Sequence, residues 1–393
     1  MNQTAVSLQS GSGQDFSQVG KVGDIYWGVV CDGHGSDRCI HQIRNMDMNE
    51  LAVAPNPILA MSEKLYGDTY RSGSTACFVR RQGNKIEIFN AGDSSAILYV
   101  NGNIVAKTTS HTFLNPAEVE RTKPFIRTIR PTKGPFPVSD ERVEDIPSPT
   151  GVFINGEELV PSMALGHNNI TGLEPEYIQW NVCDFDVVRI VIMSDGVSDM
   201  LVTKHSVIET GTVSEMVDLA HSRWKQQWKY KYMHRGREYD GLTNYGDQID
   251  DMSCVVMEDR VKERPSLCIP YSPKVFQASH VQECMEAFLG GVRKVEVVEH
   301  ETHNVFFVHF NPAPLNDDNK KVFMSVLSGE NTKLAYNDSW WWPIKLMHGS
   351  QPLQGVTFIY ELWDKVSDYN EFKESYIHDS ESSKMIDFLQ NFR

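Results

Sequence analysis

Three apolar runs in this chain stop at an aspartate beside a glycine. IYWGVV leads through Cys31 to Asp32-Gly33, KIEIFNA leads to Gly92-Asp93, and VVRIVIM leads through Ser194 to Asp195-Gly196. Asp250 stands ahead of a fourth run, MSCVVM. Short apolar runs bounded by Asp and Gly read as buried strands closed by turns. One acid at a strand end is ordinary, because turns favour Asp. Several together constrain the fold more sharply, since facing strands can gather carboxylates at their ends without a flexible loop. Hard cations such as Mg²⁺ and Mn²⁺ take oxygen ligands in octahedral geometry. A glycine beside the Asp leaves its backbone carbonyl open to such an ion.

The chain can support such sheets. Its 393 residues suffice for two domains or three at ~100–200 residues each. Hydrophobic residues make up 40% and charged residues 23%, as in an ordinary globular protein. The formal net charge of −15 would repel phosphate backbones and anionic lipid, and no run of four Lys/Arg offsets it. Carboxylates gathered to bind divalent cations are a second reading of the same acidity. Cys31, Cys39, Cys77, Cys183, Cys254, Cys268 and Cys284 are widely spaced, with no CxxC pair. They read as reduced thiols rather than disulfides or zinc ligands. The N-terminal MNQTAVSLQSGSG is polar and lacks the apolar core of a signal peptide. No apolar stretch approaches the ~20 residues of a membrane span. An intracellular protein is expected, cytoplasmic or nuclear, neither secreted nor membrane-bound.

TACFVRRQGNKIEIFNAGDSSAILYVNGNIVAKTT reads as consecutive strands joined by hairpin turns at QGN, AGD and NGN. NPAEVERTK predicts a helix with Pro near its start. SEMVDLAHSRWKQQWKYKY predicts a longer amphipathic helix. Residues 124–160 are rich in Pro and Gly and read as loops with short strands. A charged stretch ending in Pro, EDRVKERPS, places a boundary near residues 258–266. Beyond it the order is strand, helix, strand, strand, helix, strand, the split βαβ arrangement. The last strand falls in KLAYNDSWWWPIKL.

The motifs of residues 8–257, in their order, resemble the metal-dependent protein phosphatase family, also called type 2C. GQDFS at 13–17 resembles its first acidic motif and WGVVCDGHGSD at 27–37 its Asp-Gly-His-Gly motif. SGSTA at 72–76, NAGDSSAIL at 90–98 and TTSHTFLNPAEVER at 108–121 follow in sequence. LVPSMALGHNN at 159–169 resembles a degraded Ser-Arg-Ala-Leu-Gly-Asp motif, and GLEPEYIQW at 172–180 the Pro-Glu segment. IVIMSDGVSDML at 190–201 and DDMSCVVM at 250–257 resemble the last two.

The resemblance implies an α+β fold: an α-β-β-α sandwich over 1–260, with two antiparallel sheets flanked by helices. It implies hydrolysis of phosphoserine and phosphothreonine on proteins, with two Mn²⁺ or Mg²⁺ ions and a third, weaker one. Asp32 would bridge two ions and the Gly33 carbonyl would bind one. Asp195 and Asp250 would complete one shell, Asp15 would serve the other, and Asp93 with Asp195 would help hold the third. A hydroxide bridging ions ~3.5–4 Å apart would attack phosphorus in line, with His34 as general acid. Read without the motif, His34 is a partly buried structural histidine.

The departures fall on the substrate side. The family's Glu-Asp pair is here Gln14-Asp15, and no Arg lies in Ser10–Gly13 to grip a phosphate. Met163 and His167 replace the usual Arg and Asp of the sixth motif, and Ser95 replaces an Arg. No substrate-binding residue is assigned. A metal-binding pseudophosphatase or scaffold therefore stands beside the enzyme reading.

Residues 261–393 resemble an RNA-recognition-motif (ferredoxin-like) βαββαβ domain with a C-terminal extension. HNVFFVHF at 303–310 resembles its central strand, with Phe307 at one stacking position but Val305 and Cys268 at the other two. This segment holds 13 basic and 18 acidic residues, a net charge of −5, which disfavours an RNA-binding regulator as the third reading. Trp340, Trp341 and Trp342 either include an exposed anchor for a protein partner or all pack inside against the tail at 350–393.

Overall fold

The computed structural model describes residues 1–124, 132–148, 152–154, 157–183, 186–234, 237–246, 248–259, 266–311, 317–327, 331–337, 340–346 and 357–361. It divides into two units, Met1–Arg260 and Val261–Arg393.

In the first unit the apolar runs become strands of two antiparallel sheets. One sheet is ordered Asn2–Leu8, Met252–Glu258, Val188–Met193, Ser95–Val100, Asn103–Lys107. The other runs Leu165–Gly166, Ser72–Ser74, Ile25–Gly35, Ala76–Gln82, Lys85–Ala91, Glu176–Asn181, with Asp15–Val22 also paired to Ile25–Gly35. The turns follow from local chemistry. Asn101 and Gly102 have φ of 53° and 80°, the two positive values that a type I′ hairpin needs and Asn-Gly supplies.

Period-2 alternation explains why these runs are apolar throughout. Val30 points into a cluster with Val79, Ile88, Leu98, Ile190, Ile192 and Val255, which joins the two sheets. Its neighbours Val29 and Cys31 point the other way. There they pack with Trp27 and Phe78 against Ile40, Ile43, Leu51 and Ile58 of the helices Arg38–Arg44, Met48–Val53 and Pro57–Lys64. Likewise Val191 and Met193 meet Val197 and Met200 of Asp195–Leu201, and Met216, Val217 and Ala220 of Val213–Lys225. Each fully buried Val, Leu, Ile, Phe or Met among these contributes about 1.5–3 kcal/mol relative to exposure.

Two element assignments are corrected. The predicted helix from SEMVDL to KYKY ends at Lys225, and Trp228–His234 is a strand. There Trp228 is buried, and Tyr230 and Tyr232 stack with centroids 6.5 Å apart. Side chains two apart share a strand face, not a helix face, so the WKYKY alternation favoured the strand. This strand joins Arg237–Thr243, Arg142–Ser148 and Thr132–Pro137 in a further four-stranded sheet. The second correction concerns the acidic residues. Asp32 and Gly33 lie within the Ile25–Gly35 strand rather than at its end, and Asp195 opens a helix.

The second unit has a six-stranded sheet ordered Val292–Glu299, Asn304–Phe310, Leu267–Ser272, Trp340–Leu346, Asn331–Asn337, Thr357–Glu361. Its helices are Ala278–Leu289 and Asp317–Leu327. KLAYNDSWWWPIKL forms a hairpin of two strands rather than one. Trp342 is buried, donates Nε1–H to Ser272 Oγ at 3.1 Å and packs edge-on to Phe276. The side chains of Trp340 and Trp341, and most of the tail at 350–393, lie outside the described residues.

Candidate active site

Strand register brings the first two acids together: Asp15 faces Asp32 across the Asp15–Val22 and Ile25–Gly35 pair. Asp93 follows the Lys85–Ala91 strand, and Asp195 begins its helix two residues beyond Val188–Met193, after Ser194. Carboxylate oxygens of Asp32, Asp93 and Asp195 all lie within 4.8 Å of one another. Asp15 and Asp250 sit close enough to Asp195 that charge repulsion affects both.

Neighbouring hydroxyls and amides fix this cluster. Ser194 Oγ donates to Asp15 Oδ2 at 2.9 Å, and Ser253 N–H donates to Ser194 Oγ. The Asp32 amide donates to Thr75 Oγ1 at 3.2 Å and the Asp32 carbonyl accepts from Thr75 N–H at 2.8 Å. Asp251, buried, accepts from the amides of Gly11 and Gln14 at 2.6 and 2.8 Å. That tie anchors the turn before Asp15 to the segment that carries Asp250. The Asp251 carbonyl in turn approaches Gly196 so closely that a Cβ there would lie 2.0 Å away.

Electrostatically the cluster is unbalanced. Burial, partly offset by the Ser194 hydrogen bond and reinforced by Asp195 and Asp250, raises Asp15 to about 8. Burial and Asp195 raise Asp93 to about 8 and Asp250 to about 7. Burial, with Asp195 and Asp15, drives Asp32 well above the usual carboxylate range. None of the main contributors is a basic side chain. Asp195 Oδ1 is buried and accepts no hydrogen bond from the described residues. An uncompensated group of oxygen donors with one orphaned atom fits hard divalent cations, which supply the missing charge and bind oxygen.

Sequence reasoning missed Asp199. Burial and repulsion from Asp195, Asp93 and Asp250 raise it strongly. It lies four residues after Asp195 on the same helix, and that spacing puts both on one face. The D-x-x-x-D spacing was visible in SDGVSDML. Asp251 was passed over beside Asp250.

His34 lies two residues beyond Asp32 on the same strand. Its ring stacks on His167 with centroids 4.9 Å apart, and the two Nε2 atoms are 2.8 Å apart. Burial, then the adjacent His167, lower His34 to about 3, so the ring is neutral near pH 7. Gly33 is held by its N–H to the Gln14 carbonyl at 3.1 Å. Gln14 turns its amide away to the Gly35 carbonyl and Asp37 Oδ1. Beside the turn lacking arginine, Arg44 donates to the carbonyls of Gly13 and Asp15 at 2.7 and 2.9 Å. Met163, at the family's Arg position, is buried in the helix-side core.

No match is found among curated proteins. Among solved structures, a sex-determining protein of C. elegans is 16% identical, with a TM-score of 0.43 over 65% of this chain and 64% of that one, less than two thirds of its length. A serine/threonine phosphatase of S. agalactiae is 15% identical, TM-score 0.41, over 65% of this chain and 98% of that one. The Mycobacterium tuberculosis serine/threonine phosphatase PstP/Ppp is 16% identical, TM-score 0.37, over 65% and 97%. Likenesses this distant leave the chemistry to the residues themselves. Residues 12–124, which carry Asp15, Asp32, Gly33, His34 and Asp93, match the family model described as Protein phosphatase 2C.

Proposed function

We propose that the chain is a metal-dependent phosphatase of the type 2C kind, acting on phosphoserine and phosphothreonine of proteins. The observation that carries this is the uncompensated carboxylate cluster around Asp195, whose buried Oδ1 has no hydrogen-bond partner among the described residues. The family match over 12–124 supports it. Mn²⁺ or Mg²⁺ suits these oxygen donors: Asp15, Asp32, Asp195, Asp250 and the Gly33 carbonyl would hold the catalytic ions, and Asp93 and Asp199 beside Asp195 would help hold a further one. When bound, such ions supply a nucleophilic oxygen near neutral pH and neutralise charge on the phosphoryl group.

The chain's own residues hold and orient. Ser194 fixes the Asp15 carboxylate, and Thr75 pins the backbone of Asp32. His34 would give a proton to the departing Ser or Thr oxygen. It is neutral in this structure, so the role requires a phosphate dianion beside it, which favours the protonated ring. The proposed domains are a type 2C-like α-β-β-α sandwich over 1–260 and an RNA-recognition-motif-like domain over 261–393. In the latter, Leu267–Ser272 lies between Asn304–Phe310 and Trp340–Leu346. RNA binding is not favoured, because of that segment's net charge of −5.

A second reading, a metal-binding pseudophosphatase, rests on the absent arginine and on Arg44 being engaged by backbone carbonyls. Hydrolysis of a phosphothreonine peptide with and without Mn²⁺ separates the two. The enzyme reading expects metal-dependent turnover, lost at least ~100-fold in Asp195→Asn, in keeping with the cost of removing one electrostatic stabiliser from an active site. Turnover unchanged in that variant removes Asp195 from the site. A native protein that binds Mn²⁺ but hydrolyses nothing establishes the pseudophosphatase.

A further inference from the structure

His167 is built into its place at a cost. Gly166, His167, Asn168 and Asn169 all have positive φ, at 79°, 48°, 47° and 59°. A non-glycine residue in this region is sparsely populated, and such residues persist only where the surroundings hold them. The surroundings here are explicit. Asn168 Oδ1 accepts from the Thr69 amide at 2.9 Å and from Thr69 Oγ1 at 3.1 Å, and Asn168 Nδ2 donates to Asp68 Oδ1. The Leu173 amide donates to Asn169 Oδ1.

That clamped turn delivers one imidazole to another. The His167 ring is 2% exposed and stacks on His34. His167 Nδ1 lies 2.9 Å from the Tyr70 carbonyl, which can only accept, so this nitrogen carries the proton. Its Nε2 is then a lone pair, and at 2.8 Å from His34 Nε2 it accepts when His34 carries its proton there, in competition with the Asp32 carbonyl, the other acceptor beside the His34 ring. Gly73 makes room for both rings: a Cβ at that position would lie 2.1 Å from His167 Nε2 and 2.5 Å from His34 Nε2. Four features of the chain, the left-handed turn, its clamp, the Tyr70 carbonyl and Gly73, thus serve one contact.

We infer that His167 is a positioning residue for His34. It holds the ring orientation and the Nε2–H tautomer, leaving Nδ1 as the nitrogen outside the pair. This rests on the phosphatase reading for its catalytic meaning, but the pairing itself is tested without turnover.

Two variants isolate the contact. Asn tolerates left-handed backbone well, so His167→Asn keeps the turn but cannot reach His34. His167→Gln places an amide oxygen near the lost Nε2 and can again accept from His34. With the full chain and Mn²⁺, rates are compared on a phosphoserine peptide, whose leaving oxygen needs a proton, and on p-nitrophenyl phosphate, whose leaving group does not. His167→Asn is expected to lower kcat on the peptide ~10–100-fold, a part of the ~10²–10⁴-fold that a general acid contributes, since His34 itself remains. KM should be unchanged and the loss on the aryl phosphate several times smaller, with His167→Gln recovering part of the peptide rate. Equal losses on both substrates, or none, overturn the inference. Nitrogen-15 NMR of the metal-free full chain at one pH gives the second readout. It expects His34 protonated at Nε2 in the native protein and a mixed tautomer in His167→Asn. An unchanged His34 spectrum in that variant overturns the inference even if the protein hydrolyses nothing, whereas inactivity of the native chain on both substrates counts against the phosphatase reading alone.

Discussion

Asp195 stands where the repulsions meet, since Asp15, Asp32, Asp93, Asp199 and Asp250 are all shifted by its charge. This has a measurable consequence for the metal-free protein. Asp15 and Asp93 are raised to about 8 and Asp250 to about 7, from an ordinary 3.8. Between those values the folded chain retains protons that the unfolded chain has already released. Stability from these groups is therefore complete below the ordinary value and is lost as pH rises through the raised ones. The melting temperature without metal should fall between about pH 5 and about pH 8, and saturating Mn²⁺ should remove most of that slope by binding the folded form alone. A metal-free melting temperature that is flat or rises over this range would contradict the carboxylate packing. At the residue scale the sequence was most informative about the acids that adjoin glycine: Asp32, Asp93 and Asp195. Asp199 escaped because an aspartate within a helix is ordinarily solvated, and only the fold shows that its helix face turns toward Asp93. His167 was visible only as a departure from a motif. Nothing in the sequence showed that its ring would rest on His34.

Among the elements, the helix Asp195–Leu201 is tightly constrained at its start. Its first turn is wedged between the Asp251 carbonyl, 2.0 Å from where a Gly196 Cβ would sit, and the Trp224 indole, whose Nε1–H donates to the Gly196 carbonyl at 2.7 Å. Both neighbours are fixed, one being backbone and the other a ring packed on Tyr245. Gly196→Ala should therefore force the helix start away from Asp250 and cost about 1–3 kcal/mol, as overpacking typically does. Calorimetry should show a melting temperature lower by several degrees, and titration a weaker affinity for Mn²⁺. A variant with native melting and native metal affinity would mean that the helix start has slack. The strands around this helix were legible as apolar runs, and Asn101-Gly102 as a hairpin turn. The strand at Trp228–His234 was not, because a helix with a capping box at Thr212 and Glu215 precedes it by only a few residues. No glycine or proline lies between that helix and KYKY to mark the change, and the alternation that fits a strand is only a few residues long.

At the scale of the whole molecule, the described residues of the candidate site all belong to the unit Met1–Arg260. Its acids lie between Asp15 and Asp251, and the three apolar clusters that position them are formed by residues up to Met257. The edge of the sheet that carries Asp195 is completed from both ends of this unit, since Asn2–Leu8 pairs with Met252–Glu258. A chain ending at residue 260 keeps that pairing, every carboxylate and the His34–His167 contact. The 1–260 fragment should thus fold, show the same Mn²⁺-dependent rise in melting temperature, and hydrolyse p-nitrophenyl phosphate within about threefold of the full chain, a difference of less than 1 kcal/mol in transition-state stabilisation. With phosphoprotein substrates run in parallel on the same two proteins, a larger loss there than on the aryl phosphate would assign residues 261–393 to substrate recruitment. A fragment that melts cooperatively and binds Mn²⁺ yet has lost all hydrolysis, beside an active full chain, would show that the second unit completes the site.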